Sequence, residues 1–180
     1  MERNNQNTNN VTILSDVAKM EEVISQAKRF GCSYISFYME DELEKIGKDI
    51  AQRITDNDYV FTIETSGTTF FTNYVKPYCE SKVKNKVGYI DVKNDNVSLP
   101  VPYLERDKNI VIIDDVISTG STLRKALNLL SEYTTLNNRD ITIYSIISMI
   151  DVVDTGLFDC KVHFYDKGNL DTYVVFPWEM

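Results

Sequence analysis

The chain has 180 residues, of which 43% are hydrophobic and 26% charged, a balance typical of a folded domain and not of a disordered segment. Its net charge of −8 argues against a nucleic-acid binder, because phosphate backbones select basic surfaces. No stretch reaches the roughly 20 apolar residues of a membrane span, and the Asn-rich start lacks the apolar core of a signal peptide, so we expect a cytoplasmic protein without a membrane partner.

The amino-terminal part predicts a tail followed by a helix. Residues 1–10 are rich in asparagine and can bury almost nothing, so we expect a flexible tail ahead of a single domain over residues 11–180. Apolar residues at helical spacing then predict a helix that is capped at Ser15 or Asp16 and stops at Gly31. The three cysteines are far apart and form no CxxC pair, so neither a disulfide framework nor a zinc site is indicated.

The next elements predict an α/β sheet. A short strand over residues 34–38 precedes a helix that opens at Glu40 or Asp41. Three later runs, at 59–63, 110–113 and 141–147, are nearly continuous in apolar and β-branched residues, which favours parallel strands buried between helices. The first two of these runs each lead through a glycine turn into a helical pattern, as in doubly wound α/β domains. Ligands of such domains bind at these turns.

Two further features have ordinary structural interpretations. Residues 82–102 are polar and predict a hairpin or loop that projects from the sheet. Its lysines at 82, 84 and 86 would share one face of a strand, as on a solvated edge. The single histidine, His163, lies in a late strand candidate and is interpreted as structural, so no general base is evident.

The segment 110–122 carries the most chemical information. Its apolar strand leads to two adjacent acids, Asp114 and Asp115, which suit a diol or a divalent metal, because ionised carboxylates accept hydrogen bonds from hydroxyls and bind Mg²⁺. A small-residue loop at the start of a helix follows, and its amides and hydroxyls suit a phosphate monoester. A phosphate beside a vicinal diol indicates a phosphorylated ribose. The loop consists of Ser118, Thr119, Gly120, Ser121 and Thr122.

The segment Ile110–Thr122 resembles, at every position, the phosphoribosyl-pyrophosphate (PRPP) signature of the type I phosphoribosyltransferases. The resemblance implies their Rossmann-like α/β fold, a parallel twisted sheet flanked by helices, with a small hood formed by terminal segments. It also implies transfer of phosphoribose from PRPP to a base, with Mg²⁺ as cofactor. Asp114 and Asp115 would then be the catalytic acids that hold the ribose hydroxyls and meet Mg²⁺ through PRPP, and Ser118–Thr122 would wrap the 5′-phosphate. The alternative is an acidic turn that caps a helix.

The earlier glycine turn, Ile63–Thr69, occupies the place of the family's pyrophosphate loop. The resemblance therefore assigns Thr65, Ser66 and Gly67 to the pyrophosphate, although Ser66 stands where many members have a basic residue. Family members often have a non-proline cis peptide here, which in this chain would join Thr65 to Ser66. A plain strand-to-helix turn is the alternative.

The carboxyl terminus, residues 172–180, resembles the tail of the xanthine-guanine and hypoxanthine phosphoribosyltransferases. The resemblance implies that Tyr173 stacks on the base and that the backbone of Val174 reads it, whereas the alternative is a core strand with an interfacial tyrosine. Two differences from the family pattern count against a 6-oxopurine as the base. Many 6-oxopurine enzymes have an aspartate where this chain has Ser118, and they carry a lysine on the next strand, where residues 141–149 have none.

Taken together, the resemblance implies a homodimeric purine phosphoribosyltransferase of salvage metabolism, whose partners are PRPP and a purine base, with a 6-oxopurine favoured. An adenine-specific enzyme is one alternative, because the strand Phe61–Glu64 looks like that of the adenine members. A PRPP-binding regulator or orphan protein without turnover is the other, and Ser66 favours it. The resemblance also gives Lys82 and Lys84 a second interpretation, as a mobile lid that brings cations over the diphosphate.

Overall fold

The computed structural model describes residues 7–136, 140–156 and 158–180, with side chains from residue 17 onward. Its contacts divide the chain into two compact units. We call residues 40–169 the central unit, and residues 1–39 together with 170–180 the terminal unit. In the parts of the chain described, no helix combines the length and the apolar character needed to cross a membrane.

The central unit contains a six-stranded sheet in the order β4-β3-β2-β5-β6-β7. All neighbouring strands are parallel except β4, which runs antiparallel to β3 at one edge. Burial on both faces explains the apolar runs in the sequence, and every residue of β2 is buried. The strands are β2 (Asp58–Ile63), β3 (Val87–Asp91), β4 (Asn96–Ser98), β5 (Asn109–Ile117), β6 (Ile141–Ser148) and β7 (Cys160–Lys167).

Helices of the central unit connect these strands. The turn after β2 leads into α3, which continues through a π-helical and a 3₁₀ segment to Tyr78. The turn after β5 leads into α5, whose leucines and alanine at i, i+3, i+4 and i+7 are buried. The predicted α/β class, a mostly parallel sheet flanked by helices, is therefore confirmed. The helices are α2 (Glu40–Arg53), α3 (Ser66–Phe70), α4 (Glu80–Val83) and α5 (Ser121–Tyr133).

Strand β5 is longer than its neighbour β2, and this difference determines the arrangement at the carboxyl ends of the strands, where the predicted ligand turns lie. β2 pairs with residues 109–113 of β5 and then ends, whereas β6 stays paired with β5 as far as Ile117. Asp114 and Asp115 therefore lie within the strand, beyond the last pair with β2. The turn that follows β2 occupies the place beside them.

The terminal unit is built from both ends of the chain. It contains α1 (Asn7–Arg29), β1 (Tyr34–Phe37), β8 (Thr172–Val175) and a 3₁₀ turn (Pro177–Glu179), and β1 pairs with β8 in parallel. The terminal segments thus associate with each other, as the predicted hood requires. The N-cap predicted at Ser15 or Asp16 is wrong, because α1 already begins at Asn7, whereas Gly31 follows the end of the helix with φ at 73°.

The predicted tail overlaps this helix. Residues 7–10 form the first turn of α1, and residues 1–6 lie outside the described residues. The division into a flexible tail and a single domain over residues 11–180 stays a prediction.

The hairpin predicted within residues 82–102 is present, because β4 pairs antiparallel with β3, but its projection from the sheet is wrong. β3 and β4 fill much of residues 82–102 and belong to the main sheet. No strand aligns the three lysines either, because Lys82 lies in α4. Its ammonium donates to the carbonyls of Ala51 (3.1 Å) and Ile54 (2.8 Å) at the end of α2, where helical carbonyls lack intrahelical partners.

Lys86 acts at the same place and donates to the carbonyl of Asp56 at 2.6 Å. We therefore assign Lys82 to the packing of α4 on α2 and not to a lid. Lys84 is exposed, and its role in a lid stays a prediction.

Candidate functional site

The two acids of β5 differ in burial. Asp114 is buried and Asp115 is half-buried, and the backbone amide of Asp115 donates to Asp114 Oδ1 at 3.1 Å. On the neighbouring strand, the buried hydroxyl of Ser145 donates to the carbonyl of Asp115 at 2.9 Å. The Ser145 hydroxyl therefore ties the backbone that carries the acids to β6.

Burial governs the protonation of this pair. It raises the pKa of Asp114 well above its usual range, and the neighbouring carboxyl of Asp115 adds to the effect. The pKa of Asp115 is also raised by burial, but hydrogen bonds from Asp114, from the backbone and from Ser66 lower it in part. Ionising both groups is therefore costly in the free protein. Hydroxyl donors or a cation would stabilise the charged pair.

Next to the acids, the turn between β5 and α5 forms a cavity of about 110 Å³ lined by Asp114 and residues 116–123. Gly120 immediately precedes α5 and has φ at 78°, in the left-handed region that favours glycine. The amides of the first helical turn have no intrahelical acceptors. The hydroxyls of Thr119 and Ser121 lie 2.9 Å apart at the same place. The predicted phosphate loop is thus assembled as one concave surface.

The turn between β2 and α3 packs directly against the acids. A Cβ atom on Gly67 would lie 2.8 Å from the carbonyl oxygen of Ile113 and 3.3 Å from Asp114 Oδ1, so only glycine fits. The cis peptide joins Glu64 to Thr65 and not Thr65 to Ser66, which corrects the predicted position by one bond. The structure therefore places both predicted ligand turns next to the acids.

Two features of this region escaped the sequence analysis. Ser145 is a buried serine within an apolar run. A polar residue in such a run could have indicated a hydrogen-bonding role inside the sheet. The loop after β6 also approaches the phosphate loop: Asp154 pairs with Arg124 of α5 at 2.5 Å, and Ile150 lies 3.7 Å from the Cβ position of Gly120. No local sequence pattern predicts this contact, because the paired residues are 30 positions apart.

The predicted base-binding residues lie in the terminal unit. Tyr173 is in β8, its ring stacks on Phe30 with centroids 5.9 Å apart, and its hydroxyl donates to Gln26 of α1. Val174 pairs with Ser36 of β1. In the central unit, His163 stacks on Tyr144 at 5.4 Å, in keeping with its structural interpretation.

The fold and the site of the central unit define a class. A parallel α/β sheet presents a phosphate-binding turn after one strand, two acids on that strand, and a second glycine turn beside them. This arrangement is that of an α/β protein whose ligand site lies at the carboxyl ends of its strands, with a turn at a helix start that suits an anion.

The comparison with protein families identifies the family. The model of the phosphoribosyl transferase domain matches residues 36–148, more than half of the chain. The chain belongs to this family, and the predicted enzyme class, a phosphoribosyltransferase, is confirmed. No curated protein matches the chain by sequence.

Solved structures share the fold at low sequence identity. A purine phosphoribosyltransferase from Pyrococcus horikoshii Ot3 is 17% identical, covers 81% of this chain and 94% of its own, and has a TM-score of 0.55. A hypothetical protein from Neisseria gonorrhoeae with bound ppGpp is 15% identical, with coverages of 82% and 90% and a TM-score of 0.54. The xanthine-guanine-hypoxanthine phosphoribosyltransferase of Helicobacter pylori is 12% identical, with coverages of 82% and 95% and a TM-score of 0.54.

Proposed function

We propose that this phosphoribosyltransferase transfers the phosphoribosyl group of PRPP to a purine base, with a 6-oxopurine favoured, and releases a nucleoside 5′-monophosphate and pyrophosphate. One observation carries the proposal: the cavity of the phosphate turn is lined by Asp114 as well as by the loop residues 118–122. A single ligand in this cavity would meet anion-binding amides and hydroxyls at one end and Asp114 at the other. Ribose 5-phosphate has this distribution of groups.

Each part of the site then has a role. The loop Ser118–Thr122 would bind the 5′-phosphate through first-turn amides and hydroxyls. Asp114 and Asp115 would accept hydrogen bonds from the ribose hydroxyls, which offsets the cost of ionising them in a buried place. Backbone amides of residues 65–67 would meet the pyrophosphate. Held at these points, C1′ exchanges its bond to pyrophosphate oxygen for a bond to a base nitrogen, and the base loses a proton.

The donor set also suits Mg²⁺. In proteins this ion is usually bound by one or two carboxylates together with substrate phosphates, and Asp114 and Asp115 supply carboxylates beside the place proposed for PRPP. Their raised pKa values mean that a cation would relieve the cost of ionising the pair. When bound, Mg²⁺ would neutralise the charge that develops on the departing pyrophosphate.

For the base, we propose Tyr173 as the stacking platform, with the backbone of Val174 at its edge. Phe30 stacks on one face of the Tyr173 ring, so a bound heterocycle would use the opposite face. Tyr173→Ala should raise the KM for the base roughly 5- to 150-fold and leave PRPP affinity nearly intact. Tyr173→Phe is the matched control, because it keeps the ring and loses only the hydrogen bond to Gln26.

The decisive experiment is an activity screen with PRPP, Mg²⁺ and each of adenine, hypoxanthine, guanine, xanthine, uracil and orotate. Turnover of a 6-oxopurine is the expected result. Turnover of adenine alone would favour the adenine-specific alternative, and turnover of a pyrimidine alone would contradict the purine assignment. PRPP binding without turnover of any base would favour a regulator. The observation that supports this alternative is Ser66, which stands where many family members have a basic residue.

We further propose a homodimer as the functional unit in the cytoplasm, with no nucleic-acid partner. The net charge of −8 supports the last point. Sedimentation equilibrium at micromolar concentration tests the dimer, and a clean monomer under these conditions would refute it.

A further inference from the structure

The terminal unit contains a cavity of its own, between α1, β8 and the 3₁₀ turn. Its volume is about 240 Å³, just below the range of roughly 300 to 1,000 Å³ that drug-sized ligands occupy, so it suits a small heterocycle. Val23 and Val175 are buried and form an apolar floor, Tyr173 forms a wall, and the rim is polar and exposed. An apolar floor with a few polar groups around it is typical of a ligand pocket.

The cavity lies on the side of the Tyr173 ring that Phe30 leaves uncovered. Phe30 stacks on one face of this ring, and it follows Gln26 by one turn of α1. The other residues that α1 contributes to the cavity lie on the turns before Gln26. A flat ring bound in the cavity would therefore stack on the face opposite Phe30.

Two hydrogen bonds connect the Tyr173 ring to a carboxylate on the rim. The Tyr173 hydroxyl donates to Gln26 Oε1 at 2.5 Å, and Gln26 Nε2 donates to Glu22 Oε1 at 3.3 Å. Among the described residues, no hydrogen bond reaches Glu22 Oε2. The Glu22 carboxylate is therefore held beside the aromatic wall and keeps one oxygen to accept from a ligand.

The charge of the rim argues against an anionic ligand. The rim has the carboxylates of Glu22 and Glu179 but only one ammonium, that of Lys19, which already donates to the main-chain oxygen of Met180 at 2.5 Å. Burial raises the pKa of the Tyr173 phenol, and the charges of Glu179 and, less strongly, Glu22 add to this effect. Because an ionised carboxylate accepts hydrogen bonds and donates none, the rim suits an uncharged ring whose edge carries N–H donors.

We propose that this cavity binds the base, that Glu22 is its specificity-determining residue, and that guanine is the preferred base. Guanine presents N1–H and its 2-amino group as adjacent donors, and a carboxylate can accept from both. Hypoxanthine lacks the amino group, xanthine has an oxygen acceptor in its place, and adenine has an acceptor at N1. An acceptor that faces a carboxylate stays unpaired, so the rim discriminates against xanthine and adenine. This inference rests on the proposed function, because it takes Tyr173 as the stacking platform.

The test measures kcat/KM for guanine, hypoxanthine and xanthine at saturating PRPP and Mg²⁺ in the wild type and in Glu22→Gln. This change keeps the shape of the side chain, removes its charge and places an N–H donor where an acceptor was. The wild type should prefer guanine to xanthine by about tenfold or more, the value of one hydrogen bond to a charged group. Glu22→Gln should lower this preference about tenfold, through a loss for guanine and a gain for xanthine, with hypoxanthine less affected than guanine.

Glu21→Gln is the matched control. It makes the same change on the same helix, at an exposed residue that does not line the cavity, and should keep the base preference of the wild type. The KM for PRPP should be unchanged in both variants, because the phosphate turn lies in the central unit. Equilibrium dialysis with labelled guanine and xanthine measures the same preference without turnover.

The outcomes separate this inference from the proposed function. Equal base preferences in the wild type, Glu22→Gln and Glu21→Gln would refute the role of Glu22, and turnover of a 6-oxopurine in the same assay would leave the proposed function standing. A wild type that prefers xanthine or adenine would also refute the assignment of guanine. Guanine binding that depends on Glu22, without turnover of any base, would support the pocket and refute the proposed function. Neither binding nor turnover would refute both.

Discussion

The two glycine turns at the ligand end of the sheet need glycine for different physical reasons. In the turn after β2, Gly67 has an ordinary backbone conformation, but a Cβ atom would collide with the main chain of Ile113 and Asp114. In the turn after β5, Gly120 has space around its Cβ position, with the nearest atom 3.7 Å away, but its φ of 78° is strained for other residues.

The shapes of the two turns are therefore determined by different interactions. The turn at Gly67 is packed against the acids, so its shape is determined by contact with β5. The turn at Gly120 is open and lines a cavity, so its shape is determined by its own backbone conformation. Substitutions should therefore disturb the first through collision and the second through strain.

The largest effect is expected from Gly67→Ala. The added methyl group would force apart two backbone segments, which cannot yield as a flexible side chain would. We expect a loss of about 1 to 3 kcal/mol in the free energy of unfolding, together with loss of PRPP binding because Asp114 is displaced. Urea denaturation and PRPP calorimetry measure both quantities. Wild-type stability in this variant would contradict the packed turn.

Substitution of the acids beside Gly67 should weaken PRPP binding, whereas substitution of Asp114 should stabilise the protein without ligand. Asp114→Asn and Asp115→Asn should each weaken PRPP binding by about 1 to 3 kcal/mol, through loss of a charge-assisted hydrogen bond. Unchanged PRPP affinity in both variants, measured by calorimetry, would refute the sugar-binding role of the pair.

Without ligand and in a metal chelator, Asp114→Asn should stabilise the protein at neutral pH. Burial raises the folded-state pKa of Asp114, so its contribution to stability is fully present below the unfolded pKa of about 3.9 and is lost as the pH rises toward the folded value. The advantage of the variant should thus grow with pH above about 4. Denaturation curves across this range test the sign, and a constant difference would contradict it.

Gly120→Ala should have a smaller effect than Gly67→Ala. The cost is that of a left-handed conformation in a residue with a Cβ atom, about 1 to 2 kcal/mol in the free energy of unfolding, without a collision. Gly120→Asn is the matched variant, because asparagine tolerates this region better, and it should recover part of the loss. A larger loss in Gly120→Asn than in Gly120→Ala would show that space, and not φ, limits this position.

The smallest effect on stability is expected from Ser121→Ala in the open turn. Its hydroxyl is exposed and contacts only Thr119 among the hydrogen bonds described, so the free energy of unfolding should change by less than about 0.5 kcal/mol. Affinity for ribose 5-phosphate should nevertheless fall severalfold, because a donor to the phosphate is lost. Calorimetry that shows wild-type affinity would place the phosphate elsewhere.

Elements defined by local interactions were predictable from the sequence, whereas contacts between residues distant in the chain were not. The strands at 59–63, 110–113 and 141–147 were predictable because burial on both faces leaves a continuous apolar signature. The segment around Lys82 was misread, because its spacing suited a strand and its real role depends on carbonyls about 30 residues away. Asp154 and Arg124 were missed for the same reason.

The sequence by itself determined the α/β class, the family, and the identity of the groups that suit a phosphorylated sugar, because these depend on local composition and on one contiguous segment, Ile110–Thr122. The tertiary structure decided where the two glycine turns lie relative to the acids. The packing of Gly67 on β5 and the burial of Asp114 both depend on the alignment of β2 with β5. Strand pairing sets that alignment, and it joins residues about 50 positions apart that no local pattern relates.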